Sequence, residues 1–332
     1  MVEKTKYVKK ILTLLLFFII LLLYFLIFEL PRKEKEEEKQ KIFHFVHSDV
    51  IKFELYKTNS VIEVERILND WRINKPRELP ASKMDVDSFL ADVRDLKIEK
   101  VVGKNLPDLS IFGLALPRFQ LKLYLKKEKG EEALVLKVGN QNPDKSGFYA
   151  KLENSPEVYI LENFTESILD KDLHYFRDKD IFKIKESEVK IINITYSNEN
   201  FEISKDEKNI WKLTRPVIKT NLKEEEVNKI LIPILDLKSK KFYDECKKIS
   251  LYEAGINSPF VKIYLTDKKL NKYGILVGKE DKENYGYYAK KIDSEIIFTI
   301  DKYIINDMKD ILANLKKVEE NNSSTNTSVS NK

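Results

Sequence analysis

The sequence predicts an α+β fold, with an N-terminal single transmembrane helix followed by two repeated, mainly antiparallel sheet-plus-helix units. Three observations predict it. One stretch, Ile11–Leu30, is apolar along almost its whole length. A set of short motifs recurs about 140 residues later in the same order. Within each unit, strand-like segments follow one another with few helices between them, which favours antiparallel pairing over a doubly wound sheet.

Ile11–Leu30 reads ILTLLLFFIILLLYFLIFEL and contains a single charged residue, Glu29. Twenty helical residues at ~1.5 Å each span ~30 Å, the thickness of a hydrocarbon core. A cleaved signal peptide would have an apolar region of ~7–15 residues ending in small residues. Here the run is longer and ends Phe28-Glu29-Leu30-Pro31. The expectation is an uncleaved anchor at 11–30, a short basic tail at 1–10 and a charged stalk at 31–42. Lys4, Lys6, Lys9 and Lys10 precede the anchor, while Arg32, Lys33, Lys35, Lys39 and Lys41 follow it, so basic residues alone do not orient it. A short basic tail before a first apolar segment is the usual signal-anchor arrangement. It places the N-terminus in the cytoplasm and the body outside, on a cytoplasmic (inner) membrane crossed once.

The chain has 332 residues, which at ~150 per domain suggests two domains. Its formal net charge is +5. Spread over such a length this is no nucleic-acid footprint, which needs a clustered basic face. The single cysteine, Cys246, excludes an intramolecular disulfide framework.

The repeat is read from particular residues. Trp71-Arg-Ile-Asn-Lys-Pro76 returns as Trp211-Lys-Leu-Thr-Arg-Pro216, and these are the only two tryptophans. Val86, Phe89, Leu90, Val93 and Leu96 share one face of an amphipathic helix, and Val227, Ile230, Leu231, Ile234 and Leu237 repeat that face. Gly113–Pro117 matches Gly255–Pro259, Leu121–Leu125 matches Val261–Leu265, Val138-Gly139 matches Val277-Gly278, and Gly147–Lys151 matches Gly286–Lys290. The units are expected at 43–184 and 185–316, with a disordered polar tail at 317–332. In the first unit strands are expected at Val50–Lys57, Val61–Ile67, Asp70–Lys75, Phe119–Leu125 and Leu134–Val138. Phe148–Leu152 and Val158–Leu161 should form a hairpin. Helices are expected at Asp85–Leu96 and near Thr165–Leu169. The second unit should repeat the order from Val189 to about Leu315. Pro233 falls inside its helix and should kink or shorten it.

These pieces carry a resemblance. Trp71–Pro76, the helix Val86–Leu96, Phe112-Gly-Leu-Ala-Leu-Pro117, Val138-Gly139 and Gly147–Lys151 follow the order of the bacterial family catalogued as domain of unknown function 4340, which the sequence resembles in two tandem copies. Phe112 replaces the family's usual tyrosine, and Tyr252-Glu-Ala-Gly255 carries two extra residues before its glycine. The resemblance implies a membrane-anchored protein associated with ABC-type transport, including gliding-motility auxiliary systems. It implies no catalytic residues.

A search for chemistry agrees with that implication. His44 and His47 stand at i, i+3, but the segment Ile42–Val50 alternates like a strand and lacks accompanying carboxylate ligands. Juxtamembrane packing is the expected role. His174 and Cys246 belong to different units, so no nucleophile–base pair is expected. H-E-x-x-H, G-x-x-x-x-G-K-[ST] and G-x-S-x-G patterns are absent from the sequence. Asp85, Asp87 and Glu224–Glu226 sit at expected helix starts, where the helix dipole accounts for them. Trp71 and Trp211 are expected in the core, Gly147 and Gly286 at positive φ or bulges, and Lys126, Lys127 and Lys129 on an exposed turn. No catalytic residue, cofactor or metal ligand is expected. The leading expectation is a non-catalytic, extracytoplasmic accessory or scaffold protein, working with ABC-type transporter subunits or surface-assembly machinery and not with nucleic acid. The alternatives are a module binding lipid, glycan or peptide at the interface of the repeats, and an uncharacterised enzyme.

Overall fold

The computed structural model describes residues 2–29, 32, 38–128, 130–197, 199–215, 221–244, 249–308 and 310–313, with the backbone alone at 2–11 and 28. Half of the charged stalk (31 and 33–37), Cys246, Pro216, Lys129 and the polar tail 317–332 lie outside the described residues.

Helix α1 (Val2–Tyr24) runs into a π-helical turn at Phe25–Glu29. From Leu12 to Ile27 the large apolar side chains are 41–72% exposed, on every side of the helix. Among the described residues, no helix is long and apolar enough to cross a membrane. The expected span is only partly described, since Ile11 has its backbone alone and Leu30 lies outside the described residues.

The chain divides into two compact units, Met1–Asp178 and Lys179–Lys332. The first contains strands β1 (Val50–Lys57), β2 (Ser60–Ile67), β3 (Asp70–Lys75) and β4 (Leu79–Pro80). Helix α2 (Lys83–Arg94) and β5 (Ile98–Lys104) follow. Then come β6 (Phe119–Lys127), β7 (Gly130–Gln141), β8 (Gly147–Leu152), β9 (Glu157–Glu162), α3 (Thr165–Leu169) and α4 (Leu173–Phe176). Its nine-stranded sheet is ordered β4-β3-β2-β1-β6-β7-β8-β9-β5, with every neighbouring pair antiparallel.

The second unit contains β10 (Val189–Tyr196), β11 (Glu199–Lys205), β12 (Trp211–Arg215), α5 (Glu224–Leu235) and β13 (Lys241–Phe242). It continues with β14 (Val261–Asp267), β15 (Lys272–Asp281), β16 (Gly286–Lys291) and β17 (Ile297–Asp301). Residues 302–308 and 310–313 are helical. Its eight-stranded antiparallel sheet is ordered β12-β11-β10-β14-β15-β16-β17-β13, the order of the first unit without β4. Even the irregularities recur. Register shifts at Val50/Lys52, Glu63/Val64 and Val138/Gln141 return at Val189/Ile191, Glu202/Ile203 and Val277/Glu280.

The local reasons are visible in the side chains. In β6, Phe119, Leu121, Leu123 and Leu125 are buried while Gln120, Lys122 and Tyr124 face the wetter side, the period of a strand with one face on the core. Ser82 caps α2 by accepting the Asp85 N–H at 3.3 Å, and Val86, Phe89, Leu90 and Val93 turn inward. The rings of Phe53 on β1, Phe89 on α2 and Phe176 on α4 meet pairwise at 5.0–5.4 Å, tying sheet and helices together. Val227, Ile230, Leu231 and Ile234 give α5 the same inward face.

Several expectations need correction. Pro233 does not shorten its helix: α5 and α2 both have 12 residues. Pro233 sits in the last turn, where only the exposed Lys229 carbonyl loses its donor. Ile42–Val46 forms no strand, and a 3-10 turn follows at His47–Asp49, although Phe43 and Phe45 are buried and His44 and Val46 exposed as alternation predicts. Gly147 and Gly286 do not have positive φ. A Cβ on them would stand 2.0 Å from the Leu161 carbonyl oxygen and 2.5 Å from that of Ile300, so the neighbouring strand demands glycine. Among the described residues positive φ falls at Gly113, Gly130 and Gly255, and the two that recur in the repeat are Gly113 and Gly255, at φ +70° and +71°.

Candidate functional site

The tryptophans that mark the repeat organise the most elaborate polar corner of each unit. Trp71 starts the alternation of β3 and is 3% exposed, packed in the core as expected. Burying an indole leaves its N–H in need of an acceptor. Asp87, one turn into α2, supplies it: Nε1 donates to Oδ1 at 2.9 Å. Helix-dipole chemistry is sufficient for Asp85 but does not account for Asp87.

Two further groups close this corner. The Arg66 guanidinium lies 4.2 Å above the Trp71 ring and donates to the carbonyls of Val50 and His47. The guanidinium thus stacks on the indole while holding the 3-10 turn in place. His47 Nε2 comes within 3.3 Å of Asp87 Oδ1, without the alignment of a hydrogen bond.

The second unit builds its corner from different side chains. Trp211 on β12 is 4% exposed in the second core. Lys205 takes the place of Arg66, with Nζ 4.6 Å from the ring centroid. The turn before the first strand is Glu186–Glu188, where the first unit has His47–Asp49. Asn228 stands one residue after Val227 as Asp87 stands after Val86. Among the described residues, the Trp211 indole N–H has no acceptor. A pocket of about 550 Å³ opens there.

Two other polar clusters are complete in themselves. On the outer face of the first sheet, Glu54 is 6% exposed and accepts from Tyr56 at 2.6 Å and Tyr124 at 3.1 Å, with Lys52 at 3.3 Å. Burial alone would raise the Glu54 carboxyl; the hydrogen bonds from Tyr56, Lys52 and Tyr124 outweigh it and hold the group below the usual carboxylate range. The same hydrogen bond, with burial, pushes Tyr56 up to about 12. In the second unit Tyr243 donates to Asp281, which also accepts from Asn284 at 2.6 Å. Burial and that carboxylate push Tyr243 well above the ordinary tyrosine range.

The residues singled out in sequence do not converge. His44 lies 3.7 Å from Glu38 and His47 beside Asp87, so the two imidazoles serve different partners. His174 is on α4, and Cys246 lies outside the described residues. Glu224–Glu226 form the first turn of α5. Lys126 and Lys127 end β6 at its hairpin with β7. Among the described residues, no three His, Cys, Asp or Glu side chains gather as a metal ion would require. Sequence reading missed Arg66, Lys205 and Asn228, and gave Asp87 to the helix dipole where the structure shows it accepting from Trp71. The pairing Asp87/Asn228 was available from the helix repeat, as the one position beside matched valines where charge is lost.

The repeated glycines also acquire a reason. A Cβ on Gly139 would stand 2.1 Å from the Phe112 carbonyl oxygen, and one on Gly278 would stand 2.0 Å from that of Ala254. The Gly113 and Gly255 turns therefore press directly on the Val-Gly strands β7 and β15. The model of a family described as Domain of unknown function (DUF4340) matches residues 71–259, more than half of the chain. The chain belongs to this family. The DUF4340 match begins at Trp71 and ends at Pro259, so it spans parts of both units, including both tryptophans and both turn glycines. No curated protein and no solved structure matches the chain.

Proposed function

We propose that this DUF4340 protein is a non-catalytic accessory protein, tethered by residues 11–30 to the cytoplasmic membrane with its body outside the cytoplasm. There it binds or braces a subunit of an ABC-type transporter or of surface-assembly machinery. One observation carries the reading: apolar side chains from Leu12 to Ile27 face outward all round a helix that continues from a lysine-rich start. Water does not tolerate such a surface, whereas hydrocarbon does. The backbone needs no outside partner, because a helix satisfies its own polar groups.

The two units are proposed as copies of one ancestral fold, on the strength of their common strand order and recurring register shifts. A binding role fits the polar chemistry. The buried carboxylates of Glu54 and Asp281 are engaged by tyrosines, and Asp87 by Trp71, which leaves them holding structure.

Membrane fractionation of cells carrying the tagged chain tests the tether. The protein is expected to stay with the membrane in alkaline carbonate and to be digested by protease added from outside. Release by carbonate, or protection from that protease, overturns the corresponding part. Crosslinking in intact cells should capture a transporter or envelope-assembly subunit, and a crosslinked set without one overturns the partner assignment.

A further inference from the structure

We propose that the second unit binds a small organic carboxylate in the pocket beside Trp211. The pocket holds about 550 Å³ and is lined by Lys185, Ser187, Lys205, Trp211, Asn228 and Lys268 among others. The argument is a comparison between equivalent corners. In the first unit a carboxylate, Asp87, receives the indole N–H, and a cation, Arg66, lies over the ring. In the second unit the cation is retained as Lys205, but the carboxylate has become the amide of Asn228.

Trp211 is nine-tenths buried and more, yet its N–H has no acceptor among the described residues. That N–H is not among the fully buried atoms that lack a partner, so it meets solvent at the pocket and is free to donate to a molecule that supplies an acceptor. The Asn228 side chain and the Ser187 hydroxyl likewise have no hydrogen-bond partner among the described residues, and both can donate. Lys185, Lys205 and Lys268 line the same pocket.

Two acids, Glu186 and Glu224, also line the pocket. Each opens its element, at the first residue of the turn and of α5, and each is exposed. Lysines outnumber them, and the uncharged donors Trp211, Asn228 and Ser187 are indifferent to their charge. The volume exceeds what a bare ion fills, which points to a carboxylate carried on an organic skeleton. Such a ligand offers the Trp211 N–H a carboxylate, as Asp87 does for Trp71 in the first unit. This inference is independent of the membrane tether, since it concerns one unit of the purified chain.

The test uses the two indole N–H signals of the full-length, nitrogen-15-labelled protein in mild detergent. Succinate is the probe, with succinamide as its uncharged counterpart and inorganic phosphate as the competing anion. Succinate is expected to move the Trp211 signal saturably, with a Kd of about 1 mM, and to leave that of Trp71 in place. Asn228→Asp restores the first unit's carboxylate and is expected to weaken binding at least about tenfold, like-charge repulsion and an occupied indole acting together. Lys205→Gln should weaken it severalfold and serves if the aspartate variant does not fold. The proposal is overturned if succinate moves neither signal, if succinamide moves Trp211 equally, if phosphate alone binds, or if a folded variant binds as tightly as the parent.

Discussion

The carbonyl oxygen of Phe112 occupies the place where a side chain on Gly139 would begin, 2.1 Å from the ideal Cβ position. Ala254 and Gly278 stand in the same relationship at 2.0 Å. Backbone cannot move aside as a side chain tip can. Gly139→Ala and Gly278→Ala are therefore expected to destabilise their own units by about 3 kcal/mol each. Gly103→Ala, which meets only Leu106 side-chain atoms at 3.0 Å or more, is expected to change stability by less than about 1 kcal/mol. Urea unfolding, followed through the one tryptophan of each unit, checks all three. Equal effects at Gly103 and Gly139 would contradict the assignment.

The Trp71–Asp87 bond makes a second prediction. Asp87→Ala leaves a buried indole N–H without its acceptor and is expected to cost about 2 kcal/mol. In a double-mutant cycle with Trp71→Phe, the coupling should be about 1 kcal/mol. Additive losses would show that the two residues act separately.

The Glu54–Tyr56 pair sets the pH response of the first sheet. Glu54 lies below the usual carboxylate range when folded, so its stabilising effect is present above that range and is lost as pH falls through the folded value. Tyr56 moves the other way. Its folded value is about 12 against the ordinary 10.0, so its effect is intact below 10 and disappears as pH rises through about 12. Tyr56→Phe should remove one tyrosinate absorbance step centred near 12. A missing step near 10 instead would refute the hydrogen bond. Glu54→Gln should flatten the acid side of the stability profile, which unfolding at a series of pH values reads directly.

Pro233 gives a deliberately small prediction. Because it falls in the last turn of α5 beneath an exposed lysine carbonyl, Pro233→Ala should change stability by less than about 1 kcal/mol. A proline in a helix interior costs ~3 kcal/mol. A gain of that size in thermal unfolding would mean that the proline strains the helix after all.

Much of the fold was legible because burial is periodic. Trp71, the Val86–Val93 face and the alternation from Phe119 to Leu125 announce themselves by spacing alone. Strand β5 escaped notice because it lies at the sheet edge, where Glu99, Lys100 and Val101 are exposed and no alternation survives. Helix α4 has four residues, too short for periodicity, and only packing against Phe53 and Phe89 makes Phe176 part of the core. The site was harder still. Arg66 and Asp87 are ordinary charges in sequence, and their meaning depends on a ring that the chain brings between them. The glycines were recognised as special, yet positive φ is not what Gly147 and Gly286 need, since a neighbouring strand's approach leaves no local trace.

The outermost strand of the first sheet has a consequence for synthesis. β5 touches the sheet through β9 alone, Ile98 facing Leu161, and residues 105–156 must be made between them. While the chain is being produced, β5 has a completed helix behind it and no hydrogen-bonding neighbour ahead. The second unit repeats the delay, with β13 waiting for β17. Each sheet thus gains its far edge strand only once the residues up to β9 or β17 have been made.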